Sequence, residues 1–249
     1  SETVVAGFVA VTGGQGADDV NWTDLSIADV VPTEDSVLEV SVNLGNGANT
    51  LDLETTIIGI GLLTDADFAY TGGTGSDVIG FTGSNTITGS VTMSLGNGSN
   101  TFTDTDTEYS DTVTITGGKN ADDIDMASAV IGDLLMISLG AGANEVDMAI
   151  NGTLDGGFTY TGGSGVDDVE MLNGDDIGGD ITISVGGGAD FVDLLNFTSG
   201  AYTVGSIVVD LGVDTATDTF TFDNTLALEG IYSATDPLNL GGGDNVSSA

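Results

Sequence analysis

The chain runs to 249 residues and carries 39 acidic side chains against a single base, Lys119, a formal charge of −38, with no His and no Cys. That balance excludes nucleic acid and anionic membranes as partners, since both need Lys and Arg to neutralise phosphate. It also removes disulfides, thiol chemistry, zinc–thiolate sites and every catalytic arrangement built on His.

The hydrophobic fraction is 40%, so this is no disordered acidic tail and a core is expected to run through the chain. Self-repulsion at −38 opposes compaction, and one Lys cannot relieve it. The carboxylates therefore call for screening from outside the polypeptide, by divalent cations or salt. Asp outnumbers Glu by 31 to 8, and Asp is the short acid that folds back on its own backbone in turns. The charge is expected mainly in turns. No apolar stretch reaches the roughly 20 residues of a membrane span; 126–143 comes nearest and contains Asp133. The chain opens Ser1-Glu2-Thr3 without a basic n-region, so no signal peptide is visible.

Residues 1–11 alternate in polarity and read either as the first strand of the fold or as a strand lent to a neighbouring subunit. A turn follows at Gly13-Gly14-Gln15-Gly16-Ala17-Asp18. After a longer stretch over 20–34, Val40, Val42 and Leu44 alternate with Ser41 and Asn43, and a second turn runs from Leu44 to Asn49. Leu51 and Leu53 alternate with Asp52, and 54–65 is again long. The pattern then settles, with turns at Gly72 to Asp77, Leu95 to Asn100, Gly117 to Asp122, Leu139 to Asn144, Gly162 to Asp167 and Val185 to Asp190. Between them, Asp104, Asp106 and Glu108 alternate with Thr, which predicts three carboxylates on one strand face. Asn173–Gly179 reads as a looser turn, with Asp175, Asp176 and Asp180 around it. Extra residues over 215–235 lengthen the last repeat. Formal sequons at Asn21, Asn97, Asn151, Asn196 and Asn245 are noted as possible glycan acceptors.

The first Gly of each turn falls at Gly14, Gly45, Gly73, Gly96, Gly118, Gly140, Gly163, Gly186, Gly212 and Gly241, so central repeats are 22–23 residues long. Period-two alternation on either side of each turn predicts strands, and a fixed repeat of this length predicts a solenoid. The fold expected is all-β: one elongated domain over 1–249, a right-handed parallel β-solenoid or β-helix with coils of about 22 residues and longer terminal coils. The turns alternate between a Gly-type with Asp and a Leu-type with Asn. Two geometries account for this. Coils of 22 residues would stack the two types, each bulky side chain filling space above a Gly, whereas coils of about 45 would carry one edge of each.

Gly13 to Asn21, Gly72 to Gly80 and Gly162 to Glu170 resemble the nonapeptide of the repeats-in-toxin family, G-G-x-G-x-D-x-U-x. The resemblance implies calcium held between turns of adjacent coils. Asp18, Asp77 and Asp167 would be its side-chain ligands, Asp122 and Asp190 are less closely matched, and Gly14, Gly73 and Gly163 lie in the turns that aim carbonyls. The family sets its nonapeptides back to back, two per coil, whereas here one occurs per 22 or so residues. The overall character is similar to bacterial surface-layer and extracellular matrix proteins.

Enzyme activity is not expected. Two carboxylates acting on a neutral glycan remain formally allowed, but nothing singles out a pair among 39 acids. The reading is a non-catalytic, calcium-stabilised extracellular or cell-surface protein that self-assembles into an S-layer, sheath, biofilm matrix or filament. The partners expected are copies of itself and divalent cations. The alternative is an adhesin or a carbohydrate- or ice-binding solenoid module, for which regular Thr ranks would be needed. Lys119 reads as a lone surface amine or as half of an intersubunit ion pair.

Overall fold

The computed structural model describes 3–5, 8–28, 38–60, 66–149, 153–172, 176–195, 205–212, 214–222 and 245–248. The expected caps and longer insertions fall largely outside these residues. Within them the chain is all-β, with strands in three parallel sheets stacked in sequence order. From Thr3 to Leu195 each coil contributes one strand to each sheet, so the chain climbs as a parallel β-solenoid.

The strands before each glycine turn, such as Val91–Ser94, Val113–Thr116 and Leu135–Gly140, form the pre-turn sheet. Those after it, such as Thr101–Asp104, Asp123–Ala127 and Asn144–Ala149, form the post-turn sheet. A third sheet of shorter strands, such as Thr107–Tyr109 and Val130–Ile131, closes the coil. This third wall corrects the reading of a looser turn: Asp176–Ile177 is itself one of its strands. Asp175 lies outside the described residues.

Coil length is read directly from hydrogen bonds between equivalent turn positions. From Asp18 onward the corner-to-corner spacing is 31, 28, 23, 22, 22, 23 and 23 residues. The 22-residue coil is therefore the geometry adopted, with Gly-type and Leu-type turns stacked alternately. The long coils at the N-terminal end place their extra residues between the third-sheet strand and the next pre-turn strand.

Alternation in the sequence builds the core. Val40, Phe68, Val91, Val113 and Leu135 stack in register down the pre-turn sheet, all buried. Leu51, Ile79, Phe102, Ile124 and Val146 do the same in the post-turn sheet. Phe68, Phe81 and Phe102 meet edge to face, with centroids 5.6 and 5.2 Å apart, a favoured aromatic geometry. Within 1–11 the described strands pair inside the chain: Thr3–Val5 with Leu25–Ile27, and Val9–Gly14 with the strand Leu38–Gly45.

Candidate functional site

The turns converge on one buried polar column. Asp18, Asn49, Asp77, Asn100, Asp122, Asn144, Asp167, Asp190 and Asp218 follow one another up a single corner. In most steps the side-chain Oδ1 of one accepts the backbone N–H of its predecessor: Asn49 N–H donates to Asp77 at 3.0 Å, Asp77 N–H to Asn100 at 3.0 Å, and Asn100 N–H to Asp122 at 3.1 Å. The Asn amides add a second bond to the same carboxylate, from Asn49 to Asp77 at 2.9 Å and from Asn144 to Asp167 at 2.8 Å. Such a ladder satisfies N–H groups that a sharp corner would otherwise strand.

The other carboxylate oxygen explains the glycines. A methyl on Gly13, Gly72, Gly117 or Gly162 would overlap Oδ2 of Asp18, Asp77, Asp122 or Asp167 respectively. The slot beside each Gly is thus filled by the carboxylate of its own turn, a correction to the expectation that a Leu from the next coil fills it. In Leu-type turns the Asn directs Nδ2 instead to a turn carbonyl, Gly47 at 2.9 Å or Gly98 at 3.0 Å. That leaves the core-facing slot to Leu44 or Leu95, both fully buried.

Burial sets the electrostatics. Asp77, Asp122 and Asp167 have their pKa values raised, chiefly by burial and against the pull of their hydrogen bonds. Asp190 is pushed up to about 6, again chiefly by burial. Oδ2 of Asp77, Asp122, Asp167 and Asp190 is buried without a hydrogen-bond partner. The Tyr70 hydroxyl feels the charge of Asp77, and that of Tyr160 the charge of Asp167, while both stay outside hydrogen-bond geometry.

These are the residues that the repeats-in-toxin resemblance assigned to calcium, and their placement tests the fit. Calcium takes six to eight oxygens. Here the carbonyls of Gly14, Gly73 and Gly163 accept N–H groups of the following coil at 2.8–2.9 Å. Oδ2 of Asp18 accepts Gly14 N–H at 3.0 Å. Among the described residues no group of three or more acids is placed to hold a metal ion. The turns as they stand form a hydrogen-bonded corner and do not present a calcium cage.

Two further carboxylate features escape a linear reading. Asp104, Asp106 and Glu108 do not share a face, because the chain turns a corner between the strands Thr101–Asp104 and Thr107–Tyr109. Asp104 points inward and is fully buried, accepting the Tyr109 hydroxyl at 2.8 Å, while Asp106 and Glu108 are exposed. Burial raises Asp104 to about 6. The second feature is the outer face of the post-turn sheet. There Asp123, Glu145 and Asp168 stack in one file, and Asp125, Asp147, Glu170 and Asp193 in the next. Neighbours are about 4.8 Å apart by strand spacing. Glu145 is raised chiefly by Asp147, and Asp147 by burial and then by Asp125 and Asp123. Laying the sequence out at 22–23 residues per line would have revealed both files.

No family model, curated protein or solved structure matches this chain.

Proposed function

We propose that this chain is a non-catalytic, extracellular structural protein whose coils stack end to end into a surface layer, sheath or fibre. Divalent cations, calcium foremost, act as counter-ions along its acidic face. The observation that carries this reading is the state of the two ends. Inside the stack the inward residues are fully buried. At the first coil Val9, Val11, Val20, Trp22 and Leu25 are only partly buried, as are Val209, Leu211 and Phe222 near the other end. Among the described residues no strand pairs with the outer edge of Val9–Gly14 or Asp19–Thr23. Open parallel edges over exposed apolar residues are templates for another chain. A contact between unlike ends does not close on itself and so gives filaments.

The counter-ion role follows from the two files of carboxylates. Two charges about 5 Å apart repel by roughly 1 kcal/mol even in water, and each such file multiplies that. Divalent cations bridging the files would relieve it and let rods approach. The test is Trp22→Asp, which sets a charge on the open apolar end while leaving inner coils untouched. Wild-type protein is expected to grow into rods by electron microscopy in calcium, and Trp22→Asp to remain at single-molecule length. A wild type that stays monomeric at every protein and calcium concentration contradicts the reading.

A further inference from the structure

We propose that the outer face of the pre-turn sheet is a lateral seam on which a second copy of this chain packs face to face. This rests on the self-assembly reading and names a second contact, one that pairs rods side by side.

The charge distribution carries the inference. From Ala10 and Thr12 up to Thr182 and Ser184, no outward position of the two central files of this sheet is charged. The equivalent positions of the post-turn sheet hold the stacked acids described above. In a chain of −38, this is the face on which two copies meet without carboxylate repulsion. Its side chains are small: Thr92 and Ser94, Thr114 and Thr116, then Thr182 and Ser184. Two such sheets can approach to about 10 Å. The hydroxyls are partly engaged already, since Thr116 Oγ1 donates to the Met93 carbonyl at 3.2 Å and lies 3.4 Å from Ser94 Oγ. The other hydroxyls of the face take their partners from the facing copy, so that covering them does not strand them.

The rims supply complementarity. On the turn side the exposed positions are uncharged from Gln15 through Ser164 apart from Lys119, the chain's one base. The opposite rim carries Glu39, Asp67, Asp111, Asp133, Asp155 and Asp180 at or just before the start of six of the sheet's nine strands. A two-fold axis parallel to the stack, lying between two facing sheets, sets the turn rim of each copy against the acidic rim of the other. Lys119 then lies level with Asp111 of the second copy, because both belong to the coil whose pre-turn strand is Val113–Thr116. Two other occupants fit the face less well. Its two central files hold no aromatic ring, and Phe8, exposed on the rim at the first coil, stands alone there, so a neutral glycan finds no aromatic platform. Ala69 and Met136 interrupt the Thr file that a lattice of ordered water would need.

The chain has no native cysteine, so one introduced thiol reports one position. Thr114→Cys and Asp147→Cys, each in the full chain with calcium present, are treated with a short bismaleimide. The seam predicts crosslinked dimers for Thr114→Cys and few for Asp147→Cys. Adding Lys119→Glu to the first should weaken dimerisation roughly tenfold, the scale of the two rim ion pairs that the two-fold axis generates. Equal crosslinking at both positions overturns the seam. Rods that lengthen end to end without Thr114→Cys crosslinks overturn the seam alone, whereas an unassociated chain removes the assembly reading with it. Wild-type binding to an insoluble neutral glycan or to ice, lost in Thr114→Asp and without crosslinks, assigns the face to a foreign surface and also overturns it.

Discussion

At Gly72 the space a methyl would occupy already holds Oδ2 of Asp77. That pairing of Gly with Asp, and of Leu with Asn, is one steric rule stated twice, with Val185 and Asp190 the exception. An amide turns its nitrogen to a turn carbonyl and vacates the slot, while a carboxylate cannot donate and fills it. Gly72→Ala should therefore destabilise the fold by about 2–3 kcal/mol, measured by urea unfolding. The cost should shrink when Asp77→Asn is present, because Asn can leave the slot. Additive effects of the two substitutions would show that the two positions do not share it. The alternation itself was legible in the sequence from the spacing of Gly-x-Gly and of Asp and Asn. Its cause was not, because an Asp in a Gly-rich turn looks solvent-exposed, and only stacking shows that it is interior.

Strands long enough to alternate several times were legible from end to end, and their repeat length equals the coil length seen in the hydrogen bonds. The third sheet was not, since strands such as Val130–Ile131 show too little alternation to distinguish them from turn residues. That corner also hid Asp104, which stands in an inward file between Phe81 and Met126. A carboxyl there is tolerated through the Tyr109 hydroxyl and through protonation. Its folded pKa of about 6 lies above the unfolded value of 3.8. The protonated form is thus favoured by folding, and the stability it brings is full below pH 4 and lost as pH rises through 6. Asp104→Leu should remove that pH dependence, so that its stability relative to wild type improves by up to about 3 kcal/mol between pH 4 and pH 7. This comes on top of a pH-independent cost of about 1–3 kcal/mol for the Tyr109 hydroxyl left without its acceptor. Thermal unfolding across pH 4–7 measures this, and an equal stability difference at both ends of the range would contradict it.

The described residues form a rod with two unlike sides, and among them no strand pairs with the outer edges of Val9–Gly14 and Asp19–Thr23. About ten coils at roughly 4.8 Å each give a length near 45 Å. One long face is uncharged along its two central files as far as Ser184 and another is ranked with carboxylates, so under the proposed assembly charge directs where copies meet. The partly buried apolar residues of the first and last coils would supply the drive for stacking. The most direct check is electron microscopy of the metal-stripped full chain during a calcium titration, with magnesium as control. The account predicts short single rods without divalent ions, lengthening with calcium in steps of one molecule and then associating side by side. Particles that keep single-molecule length at every calcium concentration would contradict it.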